Sequence, residues 1–352
     1  MIPKFDILNN KSPFSLLRSE SLLLFEMFSS IHNNILTGLF ACLFFVFGSN
    51  AVADKTGQRM ELVQTEPEYV RNDNYHEKWF RVLREGINVT RNYLGNYGPL
   101  CVYIIGEEED ELQSDDIAKK IITAYCRNRH GEKFDRASDC LKHNGASLIK
   151  RARDGSTEAY LSYVDFLEKP LAELVFINPH GFPMPYLHTR GIHEYVHVFQ
   201  RAFARTPTWL TEGGAEFLAF YLGDKHDWID FEESMKDSMR MAQKVKKGEA
   251  TLIDFEDVEK IENERPHLKK YYRHLAYDAG AWAVAFIIYR SEGRSVKNFT
   301  MGFYPKLDEK GWRSAVCQYG GFEDVDVFYK EFTDLLGEPL EKKMELIREI
   351  KP

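Results

Sequence analysis

The chain has 352 residues, 44% of them hydrophobic and 28% charged, and a formal net charge of −8. This length allows a substantial core in one large domain or two modest ones. The acidic balance gives no support for nucleic-acid binding, which usually shows a basic footprint. We therefore expect an ordinary globular protein without a nucleic-acid partner.

Residues 1–53 are predicted to serve export and to lie outside the fold. The apolar run 35–48 has about the length of a signal-peptide core and is short for a membrane span. Ala51-Val52-Ala53 then supplies a small-residue cleavage site. Two questions stay open: residues 35–48 could remain as an uncleaved membrane anchor, and the start could be Met27 instead of Met1. In each case the rest of the chain is expected to be periplasmic or secreted.

Export gives significance to the cysteines that follow this segment, because disulfides persist outside the cytosol. Four remain, namely Cys101, Cys126, Cys140 and Cys317, and four cysteines allow three connectivities. Cys126 and Cys140 flank a polar, arginine-rich segment. We expect these two to pair with each other.

Residues 54–75 are polar and predict a loose lead-in, and residues 76–190 predict an α/β subdomain. A helix is expected from Tyr75 to about residue 95, because its apolar positions recur at helical spacing. The continuous apolar run Leu100–Ile105 is typical of a strand buried on both faces. Further elements are expected in this order: a helix over Ile117–Cys126, a strand over Ala159–Asp165 and a strand over Leu171–Ile177.

The segment 191–220 carries the most specific chemical pattern in the chain, the pentapeptide His193-Glu194-Tyr195-Val196-His197. Apolar residues at helical spacing surround it, which predicts a helix packed against a core. They are Ile192, Tyr195, Val196, Phe199 and Phe203. Thr206-Pro207 breaks this helix, and a second helix is expected from about Thr208.

Residues four apart on a helix lie on one face, so His193 and His197 can present two imidazole nitrogens to one cation. Two neutral imidazoles and a carboxylate suit zinc, with a fourth position left open for water. Glu212, on the second predicted helix, is the candidate for the missing carboxylate. Glu194 stands beside the first ligand, where it could reach that water.

The sequences H-E-Y-V-H-V-F-Q and W-L-T-E-G-G-A-E-F resemble the gluzincin metallopeptidases, particularly the peptidase-MA-like group, and are also similar to bacterial collagenases. The resemblance implies one zinc ion held by His193, His197 and Glu212, with Glu194 as general base. It also implies that Glu216 hydrogen-bonds a ligand histidine. Fourteen residues separate His197 from Glu212, fewer than in many aminopeptidase relatives. A metzincin site does not fit, because its glycine and third histidine are replaced by Gln200 and Phe203.

Two further roles follow from the resemblance. An edge strand before the zinc helix would bind extended peptide by backbone pairing, and its assignment to Leu171–Ile177 makes Leu174 and Phe176 substrate contacts. The helix predicted over Tyr271–Tyr289 matches a Y-x-x-G-A-x-A pattern of the relatives. There Tyr277, or alternatively His274, could stabilise the oxyanion. Tyr277 could equally be a core tyrosine with a satisfied hydroxyl.

The sequence thus predicts an α+β fold: a small N-terminal mixed sheet with helices, then a mostly helical, zincin-like half over 191–352. One catalytic unit would span about 76–340. Other helices are expected over Trp228–Lys246, Trp312–Tyr319 and Val325–Leu336, with a loop and short helix over Thr251–Glu262. The predicted function is peptide hydrolysis by an exported zinc enzyme, and the sequence does not separate exopeptidase from endopeptidase action. Two alternatives are a zinc-binding domain without catalysis and a helical domain in which the pentapeptide occurs by accident.

Overall fold

The computed structural model describes residues 58–72, 75–106, 111–131, 137–167, 169–184, 186–246 and 248–352. The predicted export segment 1–53, with its alternative anchor and start, lies outside these residues. Within the described ranges, no helix combines the length and the apolar character needed to cross a membrane. The described residues, from 58 onwards, form one compact unit.

The N-terminal part is built on a mixed four-stranded sheet. The strands of the described chain are β1 (Glu61–Leu62), β2 (Glu68–Arg71), β3 (Tyr97–Gly98), β4 (Leu100–Ile105), β5 (Glu158–Val164) and β6 (Leu171–Ile177). The main sheet has the order β2-β4-β6-β5, and β5 alone runs antiparallel to its neighbour. Strands β1 and β3 form a separate two-stranded pair.

Helices flank this sheet and make up nearly all of the second half. The longer α-helices are α1 (Glu77–Leu94), α2 (Asp115–His130), α3 (Ala146–Arg153), α4 (Tyr186–Gln200), α5 (Thr208–Asp224), α6 (Phe231–Ala242), α7 (Val258–Glu264), α8 (Gly280–Arg290), α9 (Tyr304–Gly320), α10 (Val325–Gly337) and α11 (Leu340–Arg348). A π-helix, Arg273–Ala279, leads directly into α8. The predicted α+β fold, with a mixed sheet first and a mostly helical half after it, is confirmed.

Successive side chains of β4 and β6 point to opposite faces of the sheet, and each face supports its own apolar core. Val102 and Phe176 pack on the side of α1 and α4, whereas Tyr103 packs on the side of α2 and α3. All six residues of β4 are buried. The prediction of a strand buried on both faces over Leu100–Ile105 is therefore confirmed.

Two expectations about the sheet are wrong. The segment expected as a loose lead-in contains β2, which pairs in parallel with β4. The predicted edge strand, β6, is an interior strand between β4 and β5, and Leu174 and Phe176 are fully buried there. Among the described strands, β5 forms that edge of the sheet. A short apolar run indicates burial, but its periodicity says nothing about which strands lie beside it.

Helix α4 begins at Tyr186, so the expected subdomain boundary at residue 191 falls inside a helix. Its apolar stripe contacts two cores. Tyr195 packs with the sheet, whereas Ile192, Val196 and Phe199 pack with the helical half. The helix that carries the histidine pair is thereby fixed from both sides.

A disulfide joins Cys126, near the end of α2, to Cys140. This is the pairing expected from the sequence. Cys101 and Cys317 are free thiols, and Cys101 is buried. The predicted Cys126–Cys140 pair is therefore bonded, and the other two cysteines do not form a second disulfide.

Glycines let α5 and α8 approach closely behind the histidine helix. A Cβ atom on Gly280 would lie 2.4 Å from the backbone oxygen of Trp209 and 3.0 Å from Cα of Gly213. Both neighbours are helix backbone, which a side-chain movement cannot relieve. The contact with α5 therefore requires a glycine at position 280.

We expect Gly280→Ala to lower the free energy of unfolding by about 1–3 kcal/mol, the usual cost of overpacking a core. The higher helix propensity of alanine, worth about 1 kcal/mol, offsets only part of this cost. Urea denaturation followed by circular dichroism measures the change. Gly337→Ala is the matched control, because a Cβ atom there meets nothing within 4 Å. Equal or greater stability of Gly280→Ala would show that the two helices can separate at little cost.

Candidate metal centre

Three side chains from two helices meet at the start of the helical half. His193 and His197 lie one turn apart on α4, and Glu212 lies on the first turns of α5. Helix α4 ends at Gln200, earlier than the predicted break at Thr206-Pro207, whereas α5 begins at Thr208 as expected. The short connection therefore places Glu212 beside the histidine pair.

The three candidate ligand atoms form a small triangle. Nε2 of His193 lies 3.1 Å from Nε2 of His197, and each lies 3.4 Å from Oε2 of Glu212. Tetrahedral coordination with bonds of about 2.0–2.1 Å separates ligand atoms by about 3.3 Å. Oε2 of Glu212 is buried and has no hydrogen-bond partner among the described residues. The group can therefore hold a metal ion without rearrangement.

Each histidine has a partner at its other ring nitrogen. Nδ1 of His193 lies 3.0 Å from Oε2 of Glu216, one turn beyond Glu212 on α5. Nδ1 of His197 lies 2.8 Å from Oε1 of Gln200 on its own helix. Such contacts fix the tautomer and the orientation of a ligand ring. Both rings consequently direct Nε2 at the same point.

The electrostatics of the triangle favour a cation. Burial by itself would lower the pKa of His197, but the adjacent carboxylate of Glu212 raises it to about 9. Burial would raise the pKa of Glu212, yet the two histidines hold it well below its usual range. The carboxylate is thus ionised and attracts positive charge to the two rings. A metal ion bound here would take the place of a proton.

Glu216 belongs to a wider ion network. Its Oε1 contacts Nη2 of Arg273, and its Oε2 lies 3.7 Å from Nη2 of Arg190. Burial would raise the pKa of Glu216, but Arg273, His193 and Arg190 keep it well below the usual range. Glu216 is 2% exposed, so these partners are what allow it to remain charged there.

Glu194 follows the first ligand on α4 and is 3% exposed. Its charge raises the pKa of His197, although less than Glu212 does, so the carboxylate lies within electrostatic range of the ligands. The ring of Tyr277 stacks on His193, with centroids 5.6 Å apart and an interplanar angle of 5°. Tyr272 also reaches the candidate ligands, because its hydroxyl lies 3.4 Å from Oε1 of Glu212.

Gln200, Arg190, Arg273 and Tyr272 contact this site and were not assigned to it from the sequence. Gln200 and Arg190 each lie three positions from a ligand histidine, so helical spacing could have indicated them. Arg273 and Tyr272 carry no such signal. Arg273 is the first residue of the π-helix Arg273–Ala279 and Tyr272 immediately precedes it, and a π-helix alters the spacing of side chains.

Gln200 also ties the two ligand helices together. Its Nε2 donates to the backbone oxygen of Thr211 at 2.9 Å and to the hydroxyl of Tyr304 at 3.3 Å. With its amide group so fixed, Oε1 is left to accept from Nδ1 of His197. The side chain is therefore a positioning group for that ligand.

We expect Gln200→Leu to weaken metal binding by about 10–100-fold, the usual loss when an outer partner of a ligand is removed. Competition with a chromophoric chelator measures the affinity. Gln318→Leu, on the exposed face of α9, is the control. An unchanged affinity in Gln200→Leu would mean that helix packing alone orients His197.

The two residues predicted to contact substrate lie inside the sheet. Leu174 and Phe176 belong to the interior strand β6 and are 0% exposed. Nδ1 of His274, the alternative oxyanion donor, lies 3.6 Å from Oδ2 of Asp278.

Comparison with protein-family models, curated proteins and solved structures finds no match to this chain.

Proposed function

We propose that this chain is a zinc-dependent metallopeptidase. The observation that carries the proposal is the triangle of two imidazole nitrogens and one carboxylate oxygen, with sides of 3.1 and 3.4 Å. This donor set suits a catalytic zinc ion, which takes three protein ligands and keeps its fourth position open. His193, His197 and Glu212 are the proposed ligands of one zinc ion.

When bound, zinc lowers the pKa of a water molecule and polarises the carbonyl group of the substrate. Glu194 accepts the proton of the attacking water and delivers it to the nitrogen of the leaving amine. Its position immediately after His193 supports this role. Glu216 and Gln200 hold the two histidine rings in the tautomer that leaves Nε2 free to bind the metal.

Tyr277 is the proposed donor to the oxyanion that forms from the carbonyl group. Burial and the charge of Glu212 raise the pKa of its phenol well above the usual value, so the hydroxyl keeps its proton at neutral pH. Its ring is stacked on His193, which supports a position beside the reacting carbonyl. Tyr272 lies next to it, with ring centroids 5.6 Å apart, and is the second candidate donor.

An extended peptide needs a strand with an unpaired edge. Strand β6 has neighbours on both sides, so Leu174 and Phe176 are not proposed to touch substrate. Backbone pairing of this kind tolerates many substrate side chains.

The proposed location is outside the cytosol, either free in the periplasm or medium or anchored by residues 35–48. The Cys126–Cys140 disulfide supports this placement, because such bonds persist in oxidising compartments. The proposed partner is a peptide or protein substrate.

Zinc content and peptide cleavage test the proposal on the same purified protein. We expect one zinc ion per chain by elemental analysis and cleavage of members of a mixed peptide library by mass spectrometry. Activity should disappear with a chelator and return with zinc. Stoichiometric zinc without any cleavage would favour a non-catalytic zinc domain, and the absence of zinc binding would end the proposal.

A further inference from the structure

Arg190 places a positive charge beside the metal ligands. It precedes His193 by three positions on α4, so its side chain starts from the same helix face one turn earlier. Within the described chain its guanidinium makes one ion-pair contact, at 3.7 Å to Glu216, and no hydrogen bond. A guanidinium has five N–H donors. Most of the hydrogen-bonding capacity of Arg190 is thus uncommitted.

Closer groups already occupy the carboxylate of Glu216. Arg273 contacts Oε1, and Nδ1 of His193 lies 3.0 Å from Oε2. Arg273 also has Asp278 at 3.9 Å from its Nε. Arg273 therefore has two carboxylates within ion-pair distance, Glu216 and Asp278. Among the described residues, Glu216 is the one carboxylate within ion-pair distance of Arg190, and Arg190 shares it with Arg273 at the longer distance of 3.7 Å.

The side chains around Arg190 are partly accessible to solvent. The side chains of Arg190 and Arg273 are 13% and 29% exposed, and Tyr186, at the start of α4, is 50% exposed. The hydroxyl of Tyr186 interacts electrostatically with Asp237, with Glu216 and with both arginines. That of Tyr277 interacts with Arg190 and with the ligand Glu212. Arg190 thus keeps some access to solvent, and Glu216 links it to Nδ1 of His193.

We propose that Arg190 binds a carboxylate of the substrate and makes the enzyme selective for peptides that carry one close to the scissile bond. This inference rests on the proposed peptidase function. A planar guanidinium matches a carboxylate with two parallel N–H···O bonds, which a neutral amide cannot reproduce. The carboxylate can come from an Asp or Glu side chain or from the free C-terminus of the peptide. The first source makes the enzyme an endopeptidase with an acidic preference, and the second makes it a carboxypeptidase.

Matched peptides separate these two sources. One pair differs only by Glu or Gln at a position flanking the cleaved bond, with the C-terminus amidated in both. A second pair carries Gln throughout and differs only by a free or an amidated C-terminus. We expect kcat/KM to be about 10–100-fold higher for the carboxylate member of one pair, the range that a charge-assisted hydrogen bond supplies. Ratios near one in both pairs would overturn the inference and leave the peptidase intact.

Variants at residue 190 test whether the preference belongs to this side chain. Arg190→Met should bring the ratio towards one, Arg190→Lys should keep part of it, and Arg190→Glu should shift the preference to a peptide with Lys at that position. Arg81→Met, an exposed arginine of α1, is the control for simple loss of charge. A wild-type ratio in Arg190→Met would overturn the inference. So would a fall in zinc content with no change in the ratio, because Arg190 would then only stabilise Glu216.

A binding measurement keeps this inference distinct from the catalytic proposal. Fluorescence anisotropy with the same labelled peptides is measured on Glu194→Gln protein, and on the double variant that also carries Arg190→Met. We expect the carboxylate peptide to bind about tenfold or more tightly, and only when Arg190 is present. This result without cleavage by the wild-type protein would support the carboxylate site and remove the peptidase. Equal binding of all peptides would overturn the carboxylate site.

Discussion

Replacing Glu194 by glutamine is expected to lower kcat by about 10²–10⁴-fold while one zinc ion per chain stays bound. The amide keeps the size of the carboxylate but cannot accept the proton of the attacking water. Glu194 supplies none of the three ligand atoms of the triangle, so the metal should remain bound. Single-turnover cleavage of a library-derived peptide, with elemental analysis of the same sample, measures both quantities.

The control for this variant is Glu309→Gln, an exposed carboxylate on α9 far along the chain from the triangle. It should retain wild-type turnover and zinc content. Unchanged turnover in Glu194→Gln would remove Glu194 from the mechanism. Loss of zinc from that variant would assign it a structural role at the site instead.

Replacing Glu212 by alanine is expected to lower zinc affinity by more than about 100-fold and to abolish cleavage. Loss of an outer partner already costs about 10–100-fold, and loss of a ligand removes a bond to the metal itself. His193 and His197 would remain beside each other, 3.1 Å apart between their Nε2 atoms, without the carboxylate that attracts the cation. Equilibrium dialysis against buffered zinc measures the affinity.

Folding has to be checked separately for this variant, because Glu212 interacts with both histidines. Near-ultraviolet circular dichroism should keep its native shape if only the metal is lost. Glu212→Asp is the informative partner: its shorter side chain keeps the charge but withdraws the oxygen, so intermediate affinity is expected. Full zinc affinity in a folded Glu212→Ala protein would exclude Glu212 as a ligand.

The local sequence pattern was sufficient to predict the two helices that carry the candidate metal centre. Four-residue spacing puts His193 and His197 on one helix face, and Pro207 marks the start of the next helix, so both helices could be predicted. The apolar run Leu100–Ile105 likewise had to be buried on both faces. These features depend on neighbours along the chain, and the structure confirms them.

The sequence by itself therefore determined the fold class, the two helices and the candidate ligands. Only the tertiary structure decided the order of the strands, which put β6 inside the sheet and β5 at its edge. It also decided that Arg273 contacts Glu216, 57 positions away, and that Tyr272 contacts Glu212, 60 positions away. Contacts of that range arise from packing between elements, and no periodicity within an element records them.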